Sequence, residues 1–494
     1  MSPAPSAPLD PTADVVAFDP AYADTALLDE LRRTDYARLD ADRHVYLDYT
    51  GGGLYAESQV RAHAELLSTH VLGNPHSANP SSTDATALVE GARRAVLKFF
   101  NAEGRYTAIF TLNASGALKL IGESFPFTDR SRLLMAFDNH NSVNGIREFA
   151  RAKGATFQYA PLTTPDLRLD LPALRQLLED ADPAAANLFA FPAQSNFSGV
   201  QHPLTLVGEA RRAGWRVLLD AAAFVPTNRL DLASVEPDFV TISFYKMFGY
   251  PTGVGCLLVH NDTLPLLKRP WFAGGTVNFA TVQGRAHILS AGEAGFEDGT
   301  LNYLAIPAVQ IGLQHLEQIG IERIHTRVSA LAGWLLNRLL ALRHSNGRHM
   351  VRIYGPACMK ARGATITMNV YDPDGHLVDY RRVEELANER RISLRTGCFC
   401  NPGAGEAAEG LTAEDMQAAM QGGPDMNLSK FVQMMQTRGG KAAGAIRVSF
   451  GLASNAADAA QFLAFIEELR DQTRHTLGEV SFDIESCRVI RDGS

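Results

Sequence analysis

Residues Phe239–Gly255 read FVTISFYKMFGYPTGVG. The run FVTISF is apolar at almost every position, which suits a strand buried on both faces of a parallel sheet. It ends on Tyr245, Lys246 and Met247, followed by Gly249. A lysine at the carboxyl end of a buried strand is a candidate for a lowered pKa and for amine nucleophilicity. Taken alone, such a lysine is more often one whose stem lies on apolar surface while its charge reaches solvent.

Working outward, the same pattern repeats. YTAIFTL, RLLMAF, TFQYA, NLFAFPA and RVLLDAAA precede FVTISF, and GVGCLLVH follows it after a turn. Helical or loop segments lie between most of them, among them ATALVEGARRAVLKFF and SGALKLIGES. Strands alternating with helices predict an α/β domain with a mostly parallel central sheet between helices. Its expected span is 84–305. A long helical stretch, open to breaks, is expected from Asn302 to Leu342. Beyond it the pattern turns α+β, with ATITMNVY, VEELANERR, GAIRVSFG and a closing amphipathic helix in DAAQFLAFIEELRDQTRH. That assigns 306–494 to a linking helix and a smaller C-terminal domain. Residues 406–427, rich in Gly, Ala and Met, read as an insertion. The first twenty residues hold five prolines. They read as a mobile arm, with 21–83 as a segment packing on both domains.

Composition narrows the function classes. A net charge of −8 and no local Lys/Arg run argue against nucleic acid as partner. No stretch approaches the roughly 18 apolar residues of a membrane span. The N-terminus has neither the basic nor the apolar region of a secretory signal. Five cysteines, an odd and small number, argue against a disulfide framework and for a reducing, cytoplasmic setting.

Ligands of open α/β sheets bind at the carboxyl ends of the strands. There this chain places Asn113, Ala114 and Ser115, opening a helix after YTAIFTL; His140 in FDNHNSV; Asn196 in QSNFSG; Asp220 ending RVLLD; and Lys246. Each alone has a bland reading, such as an N-cap serine, a loop histidine or a capping aspartate. Together they meet one demand. Pyridoxal phosphate needs a Schiff-base lysine, a carboxylate for its pyridinium nitrogen and a helix N-terminus for its phosphate. A ring to stack on its face and a donor for its phenolate oxygen complete the set.

These residues, with VYLDYTGGGLY, SFYKMFGYPTGVG, FEDGTLNY and LRTGCFCNPG, resemble the class V aminotransferase family of fold-type I pyridoxal-phosphate enzymes. Within it the likeness is greatest to cysteine desulfurases and to the N-terminal domain of molybdenum cofactor sulfurase. The matching stretches spread from Tyr46 to Asn455. The resemblance implies that Lys246 forms the Schiff base and later moves the substrate's α proton, that Asp220 keeps the pyridine nitrogen protonated, that His140 stacks on the ring and that Asn196 binds its O3′. It assigns Ser115, Ser243 and Tyr245 to the phosphate, with Thr300 reaching the phosphate of a neighbouring subunit, which implies a homodimer. Arg447 is expected on the substrate carboxylate.

LRTGCFCNPG carries two of the five cysteines. In desulfurases a cysteine on a mobile loop takes sulfur from L-cysteine as a persulfide, and alanine leaves. Counted from Arg395, the family nucleophile matches Cys400, and Arg395 would favour its thiolate. Cys398 falls where histidine is frequent. A CxC pair also suggests metal, but closed zinc sites want four ligands and no second pair exists, so no metal is expected. A reversible disulfide or persulfide exchange between the two cysteines stays open.

Two departures bear on the function. Ala223 stands where many desulfurases have glutamine, which shifts the likeness toward the sulfurase branch. Eukaryotic molybdenum cofactor sulfurases carry a further C-terminal domain, for which 494 residues leave no room. The sulfur acceptor, protein or cofactor, is therefore open. The expected activity is a sulfurtransferase acting on L-cysteine or a related amino acid. The alternative is a pyridoxal-phosphate lyase, epimerase or aminotransferase acting on another amino acid. A non-catalytic scaffold is disfavoured by Lys246 and Asp220 together.

Overall fold

The computed structural model describes residues 10–423, 430–431, 434–435, 442, 444–473, 480–483 and 488–491. Seven of its strands form one sheet: β1 (Tyr106–Thr111), β2 (Arg132–Ala136), β3 (Thr156–Ala160), β4 (Asn187–Pro192), β5 (Trp215–Asp220), β6 (Phe239–Ser243) and β7 (Gly255–His260). Their order is β1-β7-β6-β5-β4-β2-β3. β7 runs antiparallel to both β1 and β6, and the remaining pairs are parallel.

The apolar runs explain why both faces are covered. Side chains alternate across a strand, so a run without polar interruption feeds two cores. Phe189, Val217, Leu219, Val240 and Ile242 enter one core cluster. Their sequence neighbours Leu188, Leu218 and Phe239 enter the other. Each buried side chain of this size contributes about 1.5–3 kcal/mol, so polar replacements on either face are costly.

A smaller sheet follows, formed by β8 (Val351–Tyr354), β9 (Thr365–Val370), β10 (Arg395–Gly397) and β11 (Ala445–Ser449) in the order β8-β9-β11-β10, all antiparallel. The chain before the large sheet belongs to this end of the molecule. Val45–Tyr46 pairs in parallel with Ile392–Ser393, and Asp48 bridges to Ser449. Arg327, fully buried, fastens this segment by bonds to Tyr22, Thr25 and Asp29.

Three sequence expectations change, and the break left open between Asn302 and Leu342 is located. Residues 11–18, placed in a mobile arm, form a helix capped by Asp10 with Pro11 in its first turn. Val15 is buried there and Asp14 pairs with Arg338, so apolar and ionic anchors outweigh the proline-rich composition. Residues 1–9 lie outside the described residues. A boundary at 84 would cut the helix Pro80–Phe99, whose N-cap is Asn79. The stretch from Asn302 to Leu342 is two helices, Pro307–Ile319 and Ile321–Ala341, separated at Gly320 by its φ of +88°. The helix Ala456–Glu467 does not close the fold, because strands Val480–Asp483 and Arg488–Arg491 pair after it. The expected insertion begins as helices Pro402–Glu409 and Ala413–Met420, and its end, 424–427, lies outside the described residues. Among the described residues no helix is long and apolar enough to cross a membrane.

Candidate active site

The carboxyl ends of β1, β2, β4, β5 and β6 open on a cleft of about 150 Å³. Its walls include Asn113, Ala114 and Ser115 from the loop after β1, His140 after β2 and Asn196 after β4. Asp220, Ala223, Ser243, Tyr245 and Lys246 complete the set. The parallel strands deliver these side chains to one edge, although they span more than a hundred positions in the chain.

One end of the cleft is an anion cradle. Asn113 caps the helix Ala114–Ser124, accepting from the Gly116 amide at 3.0 Å. The Ala114 amide donates to Ser243 Oγ at 2.9 Å, which ties the cradle to the end of β6. Ser115 Oγ lies 2.6 Å from Ser142 Oγ, and the Ser142 amide donates to His140 Nδ1 at 3.1 Å. The first-turn amides and helix dipole favour a phosphate there.

The same cleft carries the acid and the amine. Thr241 Oγ1 and the Ala222 amide both donate to Asp220 Oδ1, at 3.2 and 3.0 Å. Asp220 Oδ2 makes no such bond among the described residues. Burial lowers the proton affinity of the Lys246 amine; Asp220 opposes the shift, and the Arg447 charge adds to it. Burial likewise lowers the pKa of His140, against Asp220 and with Lys246 and Arg447. A neutral ring accepting at Nδ1 carries its proton on Nε2. An amine, a half-free carboxylate, a flat ring and a phosphate cradle in one cleft are the donor set that pyridoxal phosphate requires, and the residues present fit it.

The glycine run Gly51–Gly53 serves this site through close approach to the chain itself. A Cβ on Gly53 would stand 2.8 Å from the Lys246 carbonyl oxygen, and one on Gly51 would stand 2.5 Å from the Asp48 carboxylate. Asp48, which sequence reasoning passed over, accepts from Arg395 Nη2 at 2.6 Å and from Arg447 Nη2 at 2.9 Å. Arg395 thus pairs with Asp48 through Nε and Nη2, where the sequence placed it beside the Cys400 thiolate. Arg447 Nη1 also donates to the Asn196 carbonyl at 2.9 Å, and its guanidinium lies 4.7 Å from the centre of the Phe399 ring.

The cysteine loop, expected to swing, is fastened to the large domain. The Asn141 amide donates to the Cys400 carbonyl at 2.7 Å. Asn196 Nδ2 donates to the Phe399 carbonyl at 2.8 Å, so the amide expected on the cofactor's O3′ serves the loop in this structure. Asn401 Nδ2 donates to the Asp138 carbonyl at 2.7 Å and to Asn196 Oδ1 at 2.9 Å. Asn401 Oδ1 caps the helix Pro402–Glu409. The NPG triplet is the signal that could have found this, being an N-cap followed by a proline in the first turn. Phe399 and Cys400 both have positive φ, 55° and 53°. That left-handed pair is held by the packing of Phe399 on Phe197 and Arg447. The Cys400 residue is exposed. Cys398 is half-buried, and burial raises the pKa of its thiol.

Asn401→Ala is expected to destabilise the protein by about 2–4 kcal/mol, from a lost cap, a buried carbonyl left without this donor at Asp138 and a half-buried one at Asn196. Urea denaturation measures this, and an unchanged midpoint would remove Asn401 from the latch.

Thr300 is not in the cleft of a single chain. It is exposed and accepts from Asn74 Nδ2 at 3.3 Å. Among the described residues, a cluster able to offer three metal ligands occurs at Asp372, Asp374 and His376, away from this site.

The family model of aminotransferase class-V matches residues 45–462, and the chain belongs to that family. Molybdenum cofactor sulfurase of Solanum lycopersicum is 38% identical over 475 residues, covering 89% of this chain and 57% of the relative. The human protein of that name is 36% identical, with 93% and 53% covered. The chain therefore spans little more than half the length of these relatives. An apo cysteine desulfurase of Thermococcus onnurineus superposes with a TM-score of 0.74 at 22% identity, over 89% of this chain and 97% of the other. A cysteine desulfurase of Escherichia coli gives 0.69 at 20%, over 90% and 98%. Both share the fold described above.

Proposed function

We propose that this protein is a pyridoxal-phosphate-dependent sulfurtransferase of the cysteine desulfurase type, allied to the sulfurase domain of its relatives. The observation that carries the reading is the placement of Cys400. It is an exposed thiol on a loop fastened beside the residues that surround Lys246.

Lys246 and Asp220 would hold the cofactor at its aldehyde and its ring nitrogen, His140 at its face, and Asn113–Ser115 with Ser243 and Tyr245 at its phosphate. When bound, pyridoxal phosphate withdraws electrons from the amino acid's Cα. Lys246 Nζ, its proton affinity lowered by burial, takes and returns the proton at that carbon. Arg447 and Arg395 orient the substrate carboxylate. Cys400 Sγ attacks the substrate sulfur. The Cβ–S bond breaks, the carbon skeleton leaves as alanine with the proton from the thiol side, and Cys400 keeps the sulfur as a persulfide. L-cysteine plus one thiol thus becomes L-alanine plus one persulfide. Because Cys400 is already exposed, we infer that the acceptor comes to the loop.

A homodimer is supported by exposed apolar side chains beside Thr300. The hairpin Val277–Thr281/Ala286–Leu289 exposes Phe279, Val282 and Ile288. Its base is tied to the neighbour of Thr300 by the Gly299 amide, which donates to the Gly274 carbonyl. A patch of this kind on a soluble chain marks an interface. A reducing, cytoplasmic setting agrees with the free cysteines.

Amino-acid analysis after incubation of the purified, cofactor-loaded protein with L-cysteine tests the reading. Alanine supports it, whereas pyruvate and ammonia would move the assignment to a lyase.

A further inference from the structure

The Arg395–Arg447 pair lies beside the cleft, where Arg447 Nη1 donates to the carbonyl of the wall residue Asn196 at 2.9 Å, and its charge arrangement is one that the proposed chemistry does not by itself require. Two guanidinium groups could bind two acid groups. Here Asp48, 7% exposed, stands between them. Its Oδ1 accepts from Arg447 Nη2 at 2.9 Å, and its Oδ2 accepts from Arg395 Nε and Nη2 at 3.0 and 2.6 Å. Gly51 leaves the space this carboxylate occupies, since a Cβ there would lie 2.5–2.8 Å from both Asp48 oxygens and Arg395 Nη2. The aspartate is placed by the backbone as well. Asp48 bridges to Ser449 on β11, two residues from Arg447, and the Leu47 carbonyl accepts from the Ser449 amide at 2.7 Å.

Donors remain for one ligand. Arg447, 3% exposed, has Nε buried without a hydrogen-bond partner, and Arg395 Nη1 makes no bond among the described residues. Arg395 keeps about half of its side chain exposed. The other charges close by do not alter the count. Lys246 is offset by Asp220, and Glu384 acts on Arg395 only from beyond contact, bonded to Thr396 Oγ1 at 2.7 Å. Two positive charges and one negative leave the pair with the net charge of a single cation. A substrate with one carboxylate neutralises it. A substrate with a second acid group would bring that group against the Asp48 carboxylate, a like-charge contact that works against binding.

We propose that Asp48 is the specificity-determining residue of this site, holding the Arg395–Arg447 pair to one anionic group and so selecting amino acids with a single acid function over those with two. The proposal rests on the sulfurtransferase reading for the site but not on sulfur chemistry, and binding alone tests it. The cofactor-loaded protein is titrated with L-alanine, L-aspartate and L-cysteine sulfinate, following the cofactor's visible absorbance, with calorimetry as a second readout. The wild type is expected to bind L-alanine more tightly than either diacid. Asp48→Asn should shift the ratio toward the diacids by at least roughly tenfold. Asp48→Glu, which keeps the charge, should retain the wild-type preference. Equal loss of all three ligands in both variants would show a merely structural aspartate and overturn the proposal, as would a ratio unmoved by Asp48→Asn. A wild type whose spectrum responds to no amino acid would overturn the reading of the site, and the proposal with it. A wild type that binds L-alanine yet releases no alanine from L-cysteine would overturn the sulfur chemistry alone.

Discussion

Lys246→Ala is expected to lower turnover of L-cysteine by at least about 10⁴-fold, because one side chain supplies both the covalent tether and the proton carrier. The physical basis is its position. The strand β6 is buried at every residue, and the short helix Phe244–Phe248 that follows holds Lys246 in the cleft with Asp220. Burial makes the neutral amine accessible nearer neutral pH than for a lysine in water. A second readout separates chemistry from folding. In the wild type, borohydride should fix pyridoxal phosphate on the peptide carrying Lys246; in the variant the cofactor should bind without being fixed. The variant should unfold with wild-type cooperativity, since the Lys246 amine makes no ion pair or hydrogen bond among the described residues. Retention of more than about a hundredth of the activity would remove Lys246 from the central role, since even one lost general base costs about 10²-fold.

Cys400→Ala is expected to abolish sulfur transfer and leave the cofactor's colour in place. The exposed side chain makes no hydrogen bond among the described residues, and the loop is held through its carbonyl by Asn141. The fold should therefore change by less than about 0.5 kcal/mol, as for a surface position. Alanine formation from L-cysteine should fall to the level of protein-free cofactor. Cys398→Ser is the discriminating control. Its thiol is half-buried with a raised pKa, a poor nucleophile, so the first half-reaction should survive its loss. Sustained sulfide release by Cys400→Ala without added thiol would contradict the assignment.

The parallel core was legible because its strands are continuous apolar runs bounded by turns and alternating with helical segments, the pattern of a sheet covered on both faces. Phe239 to Ser243 and Asn187 to Pro192 are buried throughout, as that pattern requires. The site residues at strand ends were legible for the same reason, since topology brings strand ends together. What escaped reading depended on contacts between distant segments. Asp48 looks like any acid beside a glycine run until β11 brings Arg447 to it across 399 positions. Asn196 and Asn401 bond one another across 205 positions, and nothing local distinguishes a cofactor ligand from a loop latch. The N-terminal helix was hidden by proline-rich composition, which reports on chain stiffness but not on the burial of Val15 or the bonds of Asp14 to Trp334 and Arg338. The break at Gly320 lies within a stretch whose helical periodicity continues on both sides.

The central claim is that sulfur from the substrate comes to rest on Cys400. Stoichiometric L-cysteine labelled with ³⁴S should be added to the cofactor-loaded wild-type protein under anaerobic conditions, and the peptide Arg395–Arg438 region analysed by mass spectrometry without reductant. The account predicts one added ³⁴S on Cys400 for each alanine formed, absent in Cys400→Ala. Alanine formed while the label appears only as free sulfide, with Cys400 unmodified, would contradict it.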